Sequence, residues 1–445
     1  MPGDSEPNAA NQARIEGLTP APTGGSGFAE GVEAPPYVAK LTAEAALALG
    51  RCQLNVSEGK VIVREIAAAY DQPIEVELFP TAVFTEQTET DRVSMRSVFG
   101  SYRFDQMANV QRVLEDARTL RLAPLDAVEQ LRAIALARPP LPAWLRVVGY
   151  ALSAVGFGAC FRLDFRALLL GAIVGVLVGV AVLLGSGNRQ LAALMPVLAT
   201  FVSALLVSVG TGFLHAQSDS VRLAAAAVLV LLPGATLTSA TIELVSGDMV
   251  SGASRLVFGI MQLLAMAFGF LLAMDLVGSE NQRLADVTSH MSPPWVPWIG
   301  CVAYAIGTML YFCTPLAFWL DTLVVVAIAF SAQALAQLVV SPALASGVAA
   351  ALAYSAAWWI SFRKGGGPVS LVLFVPAYWL LVPGSASFVA VAGAVVDNTN
   401  LQDIGSEAAI SVLAMSIGIM VASLVLNSLS SGNAGHSDRP SRPAS

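Results

Sequence analysis

The sequence predicts an all-α polytopic membrane protein, with about ten transmembrane helices in two inverted five-helix repeats and a small α+β soluble domain at the N-terminus. Three observations carry that prediction. Only 12% of the 445 residues are charged and 56% are hydrophobic, whereas an ordinary globular domain has roughly 25% charged residues. The charge is also unevenly placed: Lys and Arg crowd residues 40–146, while Ala167–Leu184 and Leu223–Ile242 are uncharged apolar runs. Such a chain is written for two solvents. Finally, Leu231-Leu232-Pro233-Gly234 recurs as Leu381-Val382-Pro383-Gly384, 150 residues later.

Residues 1–36 are rich in Pro, Gly, Ala, Ser and Asn and lack the apolar core of a signal peptide, so they read as a disordered cytoplasmic tail. Residues 37–140 read as the soluble α+β domain. Amphipathic helices are expected at Leu41–Leu49, Ser57–Tyr70, Phe104–Thr119 and Leu125–Ala137, around strand-like alternation at Ile74–Leu78 and Ala82–Thr85. Pro124 opens the last of these helices, and Pro139, Pro140 and Pro142 mark the exit toward the bilayer. Arg92, Arg96, Arg103 and Arg112, interleaved with Phe99, Tyr102 and Phe104, form a basic run. It reads either as a solvated face or as a surface that docks on the membrane or the membrane units.

Apolar segments follow near 141–160, 165–184, 191–209, 221–245, 256–277, 295–313, 315–335, 342–361, 368–396 and 407–429, each about long enough to cross a hydrocarbon core of roughly 30 Å. They divide into a first five-helix unit over 141–280 and a second over 281–430, with 431–445 as a second disordered tail. Because five is odd, tandem units must enter the membrane from opposite sides, which makes the repeat inverted. Arg132, Arg138, Arg146, Arg363 and Lys364 favour cytoplasmic termini, while Arg162, Arg166, Arg222 and Arg283 pull the other way. Gly171-x3-Gly175-x3-Gly179 sets three glycines on one helical face for close packing.

The chemistry is expected at the two Pro-Gly pairs. Proline removes a backbone donor and glycine loosens the turn, so each pair frees amides and carbonyls at mid-membrane depth. Half-helix ends aimed into a shared cavity then offer places for the carboxylate and ammonium of a zwitterion. The candidate binding residues are Pro233, Gly234, Thr236, Thr238 and Ser239 in the first unit, and Pro383, Gly384, Ser385 and Ser387 in the second. The plainer alternative for each pair is a simple kink; recurrence at matching places in the two halves favours a site. An acidic turn follows each set. Glu243, Asp248, Ser251, Gly252, Arg255 and Asp403 are the candidates for proton coupling or gating, because a charge at the bilayer centre costs on the order of 2.5–3.5 kcal/mol and needs a reason. Asp275 and Asp321 read as helix-end residues at the interface.

Other classes find less support. Cys52, Cys160, Cys301 and Cys313 are scattered, and His215, His290 and His436 are too dispersed for a metal cluster, so no cofactor is expected. No basic patch suggests nucleic acid. Val245-Ser246-Gly247-Asp248 lacks the first glycine of a Gly-x-Gly-Asp protease site, so an enzyme is not expected; an intramembrane enzyme and a membrane-anchored sensor or scaffold stand as the alternatives to a transporter. The expected partners are a small amino acid and membrane lipid, with a second copy of the chain left open.

Taken in order, the soluble domain, Phe161-Arg162-Leu163-Asp164 after the first apolar segment, Leu231-Leu232-Pro233-Gly234, Gly247-Asp248-x-x-Ser251-Gly252 and a second unit with Pro383-Gly384 resemble the threonine/serine exporter family in its fused form. The resemblance covers about residues 50–430. It implies efflux of threonine and serine across a bacterial cytoplasmic membrane, driven by the proton motive force. It also maps the family's Pro-Gly and Gly-Asp…Ser-Gly elements onto Pro233, Gly234, Gly247, Asp248, Ser251 and Gly252. The segment Cys52–Ser57 is more polar than that pattern, and the second acidic turn is longer.

Overall fold

A computed structural model of the chain describes residues 35–72, 74–87, 92–214, 220–277, 292–363, 370–381 and 401–434. Its N-terminal part begins with α1 (Pro35–Arg51) and α2 (Val56–Ala69), continues through strands β1 (Ile74–Leu78), β2 (Ala82–Gln87) and β3 (Arg92–Ser97), and ends with α3 (Phe104–Arg118) and α4 (Pro124–Leu136). The strands form an antiparallel meander in the order β1-β2-β3, with Val76 opposite Thr85 and Phe84 opposite Met95. In β1, Ile74, Val76 and Leu78 point inward while Glu75 and Glu77 face out, the period-two pattern of a half-buried strand. Pro124 opens α4 as expected, at the position where a missing amide costs nothing.

One part of the basic run corrects the sequence reading. Arg92–Ser97 is an edge strand. Its Val93 and Met95 alternate with polar residues, but both are exposed, and two apolar positions among arginines are too few to mark a strand. The run is not a uniformly solvated face either: Arg96 pairs with Glu44, Arg103 pairs with Asp105, and Tyr102 and Phe104 are buried.

The apolar part comprises α5 (Ala143–Cys160), α6 (Phe165–Gly185), α7 (Arg189–Leu214), α8 (Ser220–Ala227), α9 (Gly234–Val245), α10 (Met249–Val277), α11 (Val296–Tyr311), α12 (Trp319–Ala336), α13 (Pro342–Arg363), α14 (Ser370–Leu381) and α15 (Leu401–Ala434). Seven helices are long and apolar enough to cross a membrane, or eight if the bent pair of α8 and α9 is taken as one span. The chain is therefore a multi-pass membrane protein. The expectation of about ten full spans exceeds this count among the described residues: α11 has 16 residues, short of the ~20 a bilayer requires, and only 370–381 of the predicted ninth segment lie within the described residues.

Glycines set the closest helix contacts. A side chain at Gly149 would fall 2.8 Å from the Gly307 carbonyl, and one at Gly156 would fall 2.6 Å from the Gly300 carbonyl. Residue numbers rise along α5 as they fall along α11, so the two helices cross antiparallel with backbone against backbone. Two further helix pairs, α7 with α10 and α13 with α15, also touch at glycine. Gly269 of α10 lies against the Val197 carbonyl of α7, and Gly418 of α15 lies against the Gly347 carbonyl of α13. The Gly171, Gly175 and Gly179 face packs against Leu223, Ala151 and Tyr150, as its spacing predicts.

Two hydrophobic cores result. One runs from Val38 to Leu131 and is joined by Val372 of α14, while the other runs from Tyr150 to Ile419. Val372 and the partly buried Phe312, Val375 and Trp379 bridge the N-terminal domain and the membrane helices.

Candidate functional site

The break in the fourth apolar segment is abrupt. Helix α8 stops at Ala227, a single 3-10 turn carries Leu229–Leu231, and α9 restarts at Gly234, bent by 74°. Pro233 takes the position before the new helix and has no side chain to cap it, so the first amides of α9 lack a side-chain acceptor. The upstream carbonyl is compensated: Gln262 of α10 donates to the Leu231 oxygen at 2.7 Å.

Beside this break lies a chamber of about 320 Å³. Its membrane wall includes Leu231, Ala235, Thr238 and Ser239 from the break and Tyr378 from α14, and its cover comes from the N-terminal domain, with Asn55, Glu58, Tyr102 and Phe104. Thr238 is 1% exposed, and its hydroxyl makes no hydrogen bond of ordinary geometry. Its neighbour Tyr378 lies within reach of that hydroxyl and donates to the Gly234 carbonyl at 3.4 Å. A buried hydroxyl left unpaired costs on the order of 1–3 kcal/mol, so the site retains an unfilled polar demand. Thr236, by contrast, faces α10, with its methyl 3.8 Å from where a side chain at Gly259 would begin. A second, outer cavity of about 520 Å³ shares Asn55, Glu58, Ile242, Tyr354 and Ile419 with the first.

The acidic turn after α9 meets the N-terminal domain. Glu243, fully buried, accepts from the Val56 amide at 3.1 Å and pairs with Arg255 at 3.1 Å. The pairing is by proximity alone: neither Arg255 Nε nor Glu243 Oε2 makes an aligned hydrogen bond. Asp248 accepts from Ser57 at 2.5 Å and from Lys60 at 2.8 Å, and Lys60 also reaches Glu77 at 2.8 Å. The turn thus brings two carboxylates to the first turn of α2, whose residue Asn55 makes no capping bond of its own. Glu243 accepts one orphan amide, Asp248 takes the Ser57 and Lys60 side chains, and both complement the helix dipole. Burial works against ionising Asp248, but the bonds from Lys60 and Ser57 outweigh it and hold the carboxyl below its ordinary value. For Lys60, burial is opposed by Asp248 and Glu77, and the ammonium titrates above its usual range.

The remaining members of this set make contacts around the same turn. Ser251 donates to the Leu78 carbonyl at 3.4 Å, and Arg255 to the Leu54 carbonyl at 3.5 Å. Gly252 allows α10 to lie on α9, since a side chain there would meet the Ala240 carbonyl at 2.8 Å. Gly247 turns the chain at φ +91°, a conformation that only glycine adopts cheaply. Asp275 is exposed and Asp321 sits in the first turn of α12. Pro383, Gly384, Ser385 and Ser387 lie outside the described residues. Asp403 lies on α15, and its side chain is also outside them.

On the far side of the chamber the contact is aromatic. The Phe104 amide donates to the Phe312 carbonyl at 3.1 Å, and the Phe104 ring stacks on Phe312 at 4.8 Å, with Trp379 at 6.1 Å. Sequence reasoning missed Ser57, Glu58 and Lys60. An acid near a helix start is ordinary dipole chemistry, and nothing local to α2 announces partners 188 and 191 residues away for Lys60 and Ser57.

A family model described as "Putative threonine/serine exporter" matches residues 40–277, which takes in the N-terminal domain, the broken helix and the acidic turn. No curated protein and no solved structure matches the chain.

Proposed function

Since the chain belongs to the threonine/serine exporter family, a transporter family, we propose that it moves L-threonine and L-serine out of the cell in exchange for protons, binding them in the chamber beside the broken helix. The observation that carries this reading is the unpaired, buried Thr238 hydroxyl in a cavity that ends at the start of α9. The uncapped amides of α9 suit the cargo carboxylate, because a helix N-terminus binds anions. Thr238 and Ser239 suit the cargo hydroxyl. Pro233 and Gly234 make the break that exposes both, and Pro383, Gly384, Ser385 and Ser387 are assigned the matching role in the second unit.

The inverted repeat belongs to the same proposal. It is supported by the antiparallel crossing of α5 and α11 through paired glycines, and by the α7–α10 and α13–α15 contacts, which use glycines about 150 residues apart in the two halves. Two units related in this way rock about a central site, giving alternating access from a cytoplasmic membrane, with α11 and α14 completing the ten spans. The N-terminal domain is placed on the cytoplasmic side. Glu243, Asp248, Ser251, Gly252 and Arg255 then serve as a gate, because they tie the cover of the chamber to the broken helix, and Asp403, at the start of α15, is assigned the equivalent role.

The test is transport by the purified full-length chain in proteoliposomes. Labelled threonine and serine are expected to accumulate against a pH gradient. Valine, which matches threonine in shape but lacks the hydroxyl, is expected to be rejected by a factor on the order of 10² or more, because a site built for a hydroxyl leaves its polar groups stranded on the analogue. Gradient-independent uptake, or equal handling of valine, overturns the reading.

A further inference from the structure

We propose that Glu58, contributed by the N-terminal domain, is the carboxylate at which a proton and the ammonium group of the cargo exclude one another. The inference rests on the exporter reading above and assigns its coupling step to a residue outside the membrane helices.

Four observations support it. Glu58 lines both cavities, so it stands at the partition between the inner chamber and the outer one. Among the described residues lining the inner chamber, no other side chain is an acid or a strong base, so a cationic group entering that space meets one formal counter-charge. The neighbouring acids are engaged elsewhere: Glu243 with Arg255 and the Val56 amide, and Asp248 with Ser57 and Lys60. In the outer cavity, Glu65 and Glu115 both pair with Arg118. Glu58 itself pairs with no cation among the described residues, since Lys60, two positions on, is turned to Asp248 and Glu77.

The remaining surroundings are neutral near pH 7. Tyr354 of α13 faces Glu58 from both cavities, while Cys52, Tyr102, Tyr311 and Tyr378 line the inner one. Helix α9 turns its one acid, Glu243, away toward Arg255, and the α15 residues on the cavities carry no titratable group. Burial alone pushes the Glu58 carboxyl up, to about 7, so both protonation states are populated at neutral pH. A carboxylate in that condition releases its proton when an ammonium arrives and takes a proton when the ammonium leaves. One charge is exchanged for one charge, and neither partner moves without the other. Asn55, beside it in both cavities, is placed to hold the neutral polar part of either occupant.

The experiment compares wild type, Glu58→Gln, Glu58→Asp and Glu65→Gln, each full length and reconstituted in proteoliposomes, with labelled L-threonine as the probe. Elution profile and thermal unfolding confirm that each variant is folded. Glu58→Gln is expected to lose gradient-driven accumulation roughly tenfold or more, as when a bond to a charged group is removed, and its residual downhill flux is expected to be flat from pH 6 to 8. Glu58→Asp is expected to restore pH-sensitive transport, and Glu65→Gln to behave as wild type. Wild-type coupling retained by Glu58→Gln overturns the proposal, as does an equal loss in Glu65→Gln, which would indicate a general charge effect. A wild-type protein that moves no threonine overturns the exporter reading instead, so the two failures are distinct.

Discussion

Arg255 and Glu243 show how much a single buried charge depends on its partner. Glu243 is fully buried and Arg255 has a side-chain exposure of 12%, so each relies on the other and on the Val56 amide for solvation. Replacing Arg255 with Met strands a carboxylate in an apolar interface, which costs about 3–5 kcal/mol. Replacing both, as Glu243→Gln with Arg255→Met, removes the stranded charge and is expected to recover most of that loss. Thermal unfolding in detergent measures the order: the double variant is expected to melt above Arg255→Met, and the reverse order would show that the Val56 amide alone is enough to hold the Glu243 carboxylate. The sequence marked these two residues because charges inside apolar runs need explaining. It did not show that a backbone amide of the N-terminal domain is part of the explanation, because that contact joins positions with no local relationship.

Helix α5 was legible as an apolar segment, but its partner was not. Apolar length predicts that a helix enters a membrane and says nothing of which neighbour it meets. The glycines decide that here. A side chain at Gly156 would run into the Tyr304 amide, where backbone has nowhere to move, whereas one at Gly158 would meet only the flexible ends of Leu163 and Leu168, at 3.2 and 3.3 Å. Gly156→Ala is therefore expected to destabilise by about 1–3 kcal/mol or more through overpacking. Gly158→Ala is expected to be nearly neutral. Unfolding temperatures of the two variants, compared side by side, check this, and equal effects would deny the close α5–α11 crossing. The broken helix was the most legible element of all, because a Pro-Gly pair in an apolar run has few other outcomes. Strand β3 was the least legible, because only Val93 and Met95 alternate in it, too short an apolar pattern among arginines to single out a strand.

For the whole molecule, the N-terminal domain is a wall of the chamber, and the proposed transport cycle requires that wall to part from α9 and its turn. Ser57 and Asp248, 2.5 Å apart at their oxygens, mark the seam. Cysteines at both positions are expected to cross-link under oxidation and stop threonine flux by an order of magnitude or more, with a reductant restoring it. Undiminished flux through the cross-linked protein would mean that the domain stays seated during the cycle. The existence of two cores could be read from composition. Their joining through Val372, Phe312 and Trp379 could not, because it depends on where α14 lies in space and leaves no mark on any local stretch of residues.

That joining is lopsided, and the lopsidedness has a mechanical outcome. At the acidic turn the contact is ionic, through Lys60 and Asp248, and at the chamber it is a stack of rings on Phe104. Dissolved salt weakens attraction between charges but strengthens, if anything, the association of apolar rings. Release would therefore begin at the ionic contact while the ring stack stays closed, and the domain would swing about Phe104 rather than lift away, opening a wedge that is widest beside Glu58.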